Sequence, residues 1–267
     1  MATGALLSQA ARRLEGKVAV ITGGAGGIRE STARLFSKHG ARVIIADIRD
    51  DLGKSVCKDL GPETASFVHC DVSSESDIKN AIATAVDKHG KLDIMVNNAA
   101  IGDPSKASIL DNDKADFEKV VSVNLTGVFL GTKHAARAMI PSQRGSIIIV
   151  CSSVGGVASH AYTSSKHAVL GLTRNVAAEL GQYGVRINCL SPYFILTPLT
   201  KAIFQIDEDA GVRVYSNMDG VTLRQEDVAE AALYLGSDES KYVSGHNLAV
   251  DGGFTTINPA FGLFARA

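Results

Sequence analysis

The stretch Lys17–Ile28, with the sequence KVAVITGGAGGI, decides the fold. Its first half, Lys17–Thr22, is a short β-branched apolar run that predicts a buried strand. The glycines that follow lie directly before a helical pattern at about 27–39. A glycine-rich turn between a strand and a helix lets backbone N–H groups approach a diphosphate, and the helix N-terminus favours its negative charge. The stretch therefore predicts a β-α unit with a nucleotide site at its turn.

The same alternation of apolar runs and amphipathic helical stretches continues along the chain. Strands that are continuously apolar are covered on both faces, as in a parallel sheet. Repeated β-α units imply right-handed crossovers. The sequence therefore predicts an α/β fold with one doubly wound, Rossmann-type parallel sheet flanked by helices on both faces. Further strands are predicted at Arg42–Asp47, Leu92–Asn97, Ser146–Cys151, Val185–Leu190 and Asn247–Val250, and helices at about 50–60, 75–89, 113–139, 161–183 and 226–236.

Composition narrows the class of protein and its partners. The 267 residues are 45% hydrophobic and 21% charged, which suits a soluble globule with a sizeable core. A net charge of -1 gives no reason to expect nucleic acid or a membrane surface as partner, and no apolar run is long enough to span a membrane. The four scattered cysteines lack CxxC spacing, which favours buried free thiols in a reducing compartment over a metal site.

The chain has no linker, so we expect a single catalytic domain over 16–267. Residues 1–15 are predicted to form a flexible leader. Its acid-free start is a faint signal for an organelle, against the cytoplasmic localisation that we otherwise expect. Residues 193–222 have little strand character and follow a strand's carboxyl end, where open α/β sheets bind ligands. We interpret this stretch as a substrate lid.

Tyr162 and Lys166 are four residues apart in a predicted helix, which places both side chains on one face. A phenol has a pKa near ~10, and a neighbouring ammonium favours the phenolate and lowers that pKa. Such a pair can move a proton to or from a substrate oxygen. Taken alone, the spacing is more typical of an exposed helix face. The nucleotide site upstream favours the catalytic interpretation.

Asp47 ends the second predicted strand. A carboxylate at this place can accept hydrogen bonds from both ribose hydroxyls of an adenosine and repels a 2′-phosphate, which favours NAD over NADP. Arg49 favours NADP instead, because a guanidinium attracts the 2′-phosphate. Asp47 can also simply cap the following helix. At the ends of the next two strands, Asp71 can hydrogen-bond the adenine edge, and Asn98 is either a ligand contact or a turn former.

The ordered set of motifs resembles the short-chain dehydrogenase/reductase family over about Gly16–Gly253. Several local segments resemble the plant branch that contains secoisolariciresinol, xanthoxin and borneol dehydrogenases. The motifs that carry the family resemblance are the Thr22–Gly27 turn, Asp71, Asn97–Ala99, Asn124, Tyr162 with Lys166, Ser191-Pro192 and Asp251–Gly253, and the plant-like segments are Gly127–Arg137, Ser191–Tyr193 and Glu239–Gly245.

The resemblance implies hydride transfer with a nicotinamide cofactor. Tyr162 would be the acid/base, Lys166 would lower its pKa and hold the nicotinamide ribose, and Asn124 would complete a proton relay. The family commonly forms tetramers through helices like 113–139 and 161–183. The residues assigned to the cofactor are Gly23, Gly27, Ile28, Asp47, Asp71, Val72, Asn98, Tyr162, Lys166 and Thr197.

The chain departs from the family's pattern at three positions. The family's substrate-binding serine lies about thirteen residues before the tyrosine, where this chain has Ile149 in an apolar run. Either the loop is about three residues short and Ser152 takes the role, or the serine is lost. Arg29 stands where the family has a third glycine, so its side chain must point outward or displace the helix. Ala100 also replaces a glycine. These changes predict weakened cofactor binding or turnover.

We therefore expect an NAD-dependent oxidoreductase that interconverts a secondary alcohol and a ketone. Apolar residues in the lid favour an apolar substrate, for instance a plant terpenoid or phenolic alcohol such as borneol. The alternative interpretation is that these apolar residues simply belong to the hydrophobic core. The alternative is an oligomeric nucleotide-binding protein with impaired or no catalysis, which the misplaced serine and Arg29 favour.

Overall fold

The computed structural model describes residues 12–103, 106, 108–153, 158–195, 200, 218 and 220–256. The strands are β1 Val18–Thr22, β2 Arg42–Asp47, β3 Ala65–His69, β4 Ile94–Asn97, β5 Gly145–Val150, β6 Val185–Pro192 and β7 Asn247–Val250. The helices are α1 Ile28–Lys38, α2 Asp50–Leu60, α3 Glu75–His89, α4 Lys114–Val121, α5 Gly127–Met139, α6 His160–Leu180 and α7 Gln225–Gly236.

The seven strands form one parallel sheet in the order β3-β2-β1-β4-β5-β6-β7. The chain leaves β1 toward β2 and β3, then crosses back to place β4 on the other side of β1. The order reverses between β1 and β4, so a crevice opens outside their carboxyl ends, where ligands bind in sheets of this kind. The predicted fold class is confirmed.

Alternate residues of each central strand pack on opposite faces of the sheet. In β1, Val18 and Val20 join one buried cluster, while Ala19 and Ile21 join the other. Helices α3, α5 and α6 cover the first cluster, and α1, α2 and α7 cover the second. This two-sided burial explains why the strand sequences are continuously apolar rather than alternating with polar residues.

Several predicted element ends are shifted by one to three residues, and two larger differences concern a long helix and the N-terminal leader. The helix predicted over 113–139 is interrupted between α4 and α5 by a π-helical turn, Ser122–Thr126. In the predicted leader, Leu14 is fully buried and its N–H donates to the His39 carbonyl at 3.1 Å. Residues 12–15 are therefore part of the packed domain, because an apolar side chain and a backbone bond hold them there. Residues 1–11 lie outside the described chain.

The cysteines and the hydropathy of the helices agree with what the composition indicates. All four cysteines are free, and Cys70, Cys151 and Cys189 are buried. In the described part of the chain, no helix combines the length and hydropathy needed to cross a bilayer.

Glu75 ties the first turn of α3 to α5. Its Oε1 atom lies 2.9 Å from Lys133 Nζ and 2.8 Å from His134 Nε2. Hydrogen bonds from these two partners lower the pKa of Glu75 from 4.5 to about 2. Because the folded pKa lies below the unfolded one, the carboxylate stabilises the fold above pH 4.5, and that contribution falls as the pH drops toward 2.

We predict that Glu75→Gln removes this part of the pH dependence. Between about pH 5 and about pH 3, the urea midpoint of the parent should fall by more than that of the variant. Glu63→Gln, at an exposed site before β3, serves as the control and should behave like the parent. Equal pH dependence in the parent and in Glu75→Gln would contradict the role of this contact.

Candidate active site

The glycine turn after β1 lies against the end of β4. The Thr22 hydroxyl accepts the N–H groups of Asn98 and Ala99 at 3.0 and 3.2 Å. Gly23 has a φ of +67°, and a Cβ there would lie 3.0 Å from Ala99 Cα. Only a residue without a side chain fits this contact comfortably. The close approach forms the floor of a cleft that runs over the carboxyl ends of the central strands.

Helix α1 begins at the cleft. Gly27, with a φ of 65°, precedes its first residue, Ile28, and provides no side-chain cap. The N–H groups of a first helical turn have no partner inside the helix and favour an anion. Gly23, Gly27 and Ile28 all line the cleft, as the sequence predicted for cofactor contacts.

Asp47 lies buried at one end of the cleft, and its carboxylate is already fully engaged. Oδ2 accepts the Ala25 N–H at 3.0 Å and Arg49 Nη2 at 3.1 Å. Oδ1 accepts the backbone N–H and Nε of Arg49 at 3.0 and 3.2 Å. Burial alone would raise the pKa of Asp47, but the hydrogen bonds from Arg49 and Ala25 outweigh it and lower that pKa. A ribose at this carboxylate would have to replace the Arg49 guanidinium at the acceptor positions that it occupies.

The walls of the cleft carry the other predicted nucleotide contacts. Asp71 and Val72, after β3, and Asn98, after β4, all line it. Asp71 Oδ1 accepts the N–H and hydroxyl of Ser73, which fixes its orientation. The buried Asn98 Nδ2 has no hydrogen-bond partner in the described chain. A buried amide without a partner beside a glycine cradle fits a polar ligand such as a dinucleotide.

Tyr162 and Lys166 lie at the opposite end of the cleft, near the start of α6. Burial raises the pKa of Tyr162 to about 12, although Ser152 and Arg29 act to lower it. Burial dominates this shift, and the lowering of the Tyr162 pKa by Lys166 stays a prediction. The Lys166 ammonium lies 5.5 Å from the centre of the Tyr162 ring and donates to the Val150 carbonyl at 2.8 Å. Burial also lowers the pKa of Lys166 itself.

Ser152, directly after Cys151 at the end of β5, lies beside the phenol of Tyr162. Its side chain hydrogen-bonds the phenol of Tyr162, an interaction that lowers the phenol's pKa. Ser153 points the other way, and its hydroxyl donates to the Ser191 carbonyl at 2.8 Å. Adjacent residues of an extended segment face opposite sides, so only one of the two serines can serve the site.

Asn124 lies fully buried in the π-helical turn. Its Oδ1 accepts the Ile101 N–H, and its Nδ2 donates to the Ile101 carbonyl, both at 2.9 Å. Nδ2 also lies 3.2 Å from the Ser165 hydroxyl, which donates to the Tyr162 carbonyl. The amide thus fastens the loop after β4 to the helix that carries Tyr162. Its place in a proton relay stays a prediction.

Arg29 neither points to solvent nor prevents helix α1 from starting at Ile28, so the predicted outward orientation is wrong. Helical side chains lean toward the helix N-terminus, and this one runs back over the glycine turn into the cleft. Its Nη1 and Nη2 atoms each lie 3.4 Å from a carbonyl oxygen, those of Gly23 and Ala100. Burial lowers the pKa of the Arg29 guanidinium.

Two residues that the sequence analysis missed position Tyr162. The Ser159 hydroxyl caps α6 by accepting the Tyr162 N–H at 3.3 Å, and it donates to the buried Asp103 carboxylate. A serine before a helical pattern is a recognised start signal, so Ser159 was accessible to sequence reasoning. Asp103 was not, because its partner is 56 residues away. Thr197 and most of the predicted lid lie outside the described residues.

Comparisons with known proteins agree with this geometry. A family model described as Enoyl-(Acyl carrier protein) reductase matches residues 22–255. Secoisolariciresinol dehydrogenase from Forsythia intermedia is 55% identical over 270 residues, covering 98% of each chain. The mitochondrial borneol dehydrogenase from Lavandula x intermedia is 55% identical over 262 residues, covering 97% of this chain and 98% of its own.

A solved structure shares the fold. The structure of 3-ketoacyl-(acyl-carrier-protein) reductase from Brucella melitensis complexed with NADH has a TM-score of 0.83 and 32% identity. The match covers 91% of this chain and 99% of that one.

Fold and cleft together define a nicotinamide-dependent oxidoreductase. Since the family model spans most of the chain and both plant relatives match it nearly from end to end, the chain belongs to the short-chain dehydrogenase/reductase family. The predicted likeness to the plant secoisolariciresinol and borneol dehydrogenases is confirmed as well.

We predict that Ser152→Ala lowers kcat by about 10²–10³, the usual effect of losing one donor to developing charge. The Ser152 hydrogen bond lowers the pKa of Tyr162. Its loss should therefore shift the increase of kcat/KM for alcohol oxidation with pH to higher pH values. The measurement is kcat/KM against pH. Ser153→Ala is the matched control and should keep the parental profile. An unchanged kcat and profile in Ser152→Ala would exclude Ser152 from the site.

Proposed function

We propose that the protein interconverts a secondary alcohol and a ketone with NAD(H). The observation that carries this proposal is the arrangement along one cleft. Asp47, suited to a ribose, lies at one end, and the hydrogen-bonded pair of Ser152 and Tyr162 lies at the other. The helix start between them suits a diphosphate.

A bound nicotinamide would supply the hydride chemistry. Tyr162 holds a proton at its phenolic oxygen, since a pKa of about 12 keeps the phenol neutral at physiological pH. It is therefore ready to protonate the oxygen of a ketone under reduction, and it must lose that proton before it can act as a base in oxidation. Ser152 supplies a second hydroxyl at the same oxygen. Lys166, held by the Val150 carbonyl, places a cation behind the phenol.

NAD rather than NADP is the proposed cofactor. Asp47 is buried and anionic, so a 2′-phosphate beside it would be repelled. Arg49 weakens that preference, because its guanidinium is 40% exposed and can turn from Asp47 to a phosphate. We give more weight to Asp47, which the Ala25 N–H and burial fix in place.

The substrate is proposed to be apolar, a terpenoid or phenolic alcohol such as borneol. Phe194 and Ile195 line the cleft after β6. Tyr193 packs against Phe254 with ring centroids 4.5 Å apart, which adds an aromatic wall. The names of the plant relatives, secoisolariciresinol and borneol dehydrogenases, support this substrate class. The lid over 193–222 and the boundary of the catalytic domain remain part of the proposal.

Assembly and compartment complete the proposal. Phe117 on α4 and Phe129 on α5 are 40% and 47% exposed, which suits burial in a homotetramer through the helices that the family uses. Free buried thiols at Cys70, Cys151 and Cys189 favour a reducing compartment such as the cytoplasm.

The central test is Tyr162→Phe, which keeps the ring and removes the transferable proton. Turnover of cyclic secondary alcohols, followed by the absorbance of the reduced cofactor, should disappear, while NADH affinity in calorimetry stays within about twofold. Tyr183→Phe, in the turn that follows the C-terminal end of α6, serves as the control and should keep full activity. Substantial turnover in Tyr162→Phe would refute the mechanism. A parent that binds NADH but turns over no alcohol would favour the non-catalytic alternative.

Cofactor choice has its own test. Asp47→Ala should weaken NADH binding and strengthen NADPH binding. The ratio of the NADPH dissociation constant to the NADH dissociation constant should therefore fall by about tenfold or more. Arg49→Met should widen that ratio, because it frees acceptor positions on Asp47 and removes the cation available to a phosphate. Asp50→Ala, a nearby surface carboxylate, is the control. Equal affinity of the parent for NADH and NADPH would overturn the proposed preference.

A further inference from the structure

Arg29 is a cation placed in the middle of the cleft without an anionic partner. Among the described residues, both of its hydrogen bonds go to backbone carbonyls, and no ion pair with a carboxylate is formed; the neighbouring carboxylate, Asp47, is paired with Arg49. Its two hydrogen bonds, both 3.4 Å long, are well beyond the 2.7–2.9 Å that is usual for charge-assisted bonds. A guanidinium stays charged at any physiological pH, so one that is partly buried in a cleft is stabilised by an anionic partner.

The position of Arg29 indicates which anion that partner is. Its Nη1 and Nη2 atoms lie at the carbonyls of Gly23 and Ala100, after β1 and β4. These two strands separate β2, which ends at Asp47, from β5, which leads to Ser152, so Arg29 lies between the ribose end and the proton-transfer end of the cleft. Asp47 is not available to it, since Arg49 and the Ala25 N–H already occupy the carboxylate oxygens. In a dinucleotide, the group between the adenosine and the nicotinamide ribose is the diphosphate, which is also the only anionic part of NAD.

We propose that Arg29 is a diphosphate ligand, in addition to the backbone donors at the start of α1. The planar fork of a guanidinium matches two phosphate oxygens. When the guanidinium moves from the carbonyls of Gly23 and Ala100 to those phosphate oxygens, it exchanges two long contacts for two charge-assisted bonds. This inference rests on the proposed binding of a nicotinamide dinucleotide in the cleft. It reverses the sequence-based expectation that an arginine at this position weakens cofactor binding.

The test measures binding directly, by calorimetry on the full chain with three probes: NADH, ADP and adenosine. Arg29→Met keeps much of the side-chain volume and removes the charge. It should weaken NADH and ADP by about ten- to a hundredfold, as expected for lost charge-assisted bonds, and leave adenosine within about twofold. Arg29→Lys should recover part of the loss for both phosphate-bearing probes, because it restores a point charge without the fork.

The matched control is Arg34→Met, which removes the same charge from the same helix. Arg34 lies on the surface, where it pairs with Glu30 and Asp59. Its loss should leave the affinities for all three probes unchanged. Melting temperatures of the free variants show that each is folded before titration.

Three results would overturn the inference. If Arg29→Met binds NADH and ADP as tightly as the parent, Arg29 does not touch the diphosphate. If it binds them more tightly, the side chain obstructs the cleft, as the sequence suggested. In both cases the proposed function stands, because the parent still binds the nucleotide. If the parent binds neither NADH nor ADP, the proposed function fails together with the inference.

Discussion

The hydroxyl of Thr22 holds together the two strand ends on which the whole cleft depends. By accepting the N–H groups of Asn98 and Ala99, it ties the turn after β1 to the segment after β4. That tie is possible only because Gly23 leaves room for the Ala99 backbone. The turn in this position directs the start of α1 into the crevice, while the β4 segment leads to Ile101 and its contact with Asn124. One hydroxyl thus connects the nucleotide part of the site to the proton-transfer part.

Burial governs the electrostatics of the cleft more than pairing does. Tyr162, Lys166 and Arg29 all have a pKa shifted toward the neutral form, with burial as the first cause in each case. Asp47 is the exception, because Arg49 reaches both of its oxygens. The cations Lys166 and Arg29 are desolvated, and Arg49 covers the carboxylate of Asp47. Such a site favours a ligand that carries negative charge and hydroxyl groups.

The sequence predicted whatever depends on local pattern. Apolar runs located six of the seven strands and indicated a doubly wound sheet, and a spacing of four residues indicated that Tyr162 and Lys166 share one helix face. Local patterns failed where a side chain's direction depends on distant neighbours. The orientation of Arg29 depends on carbonyls at Gly23 and Ala100, and the π-helical turn at Asn124 accompanies a bond to Ile101. The pKa of Tyr162 followed from burial, which spacing along a helix does not reveal.

The strand order also divides the protein by time of synthesis. The strands β3, β2, β1 and β4 are neighbours in the sheet and are all encoded within the first hundred residues, together with Asp47, Asp71 and Asn98. Ser152, Tyr162 and Lys166 follow much later, on β5's loop and α6. The residues of the nucleotide part of the cleft are therefore synthesised before those of the proton-transfer part, and β7, the outer strand beside β6, is synthesised last of the seven strands.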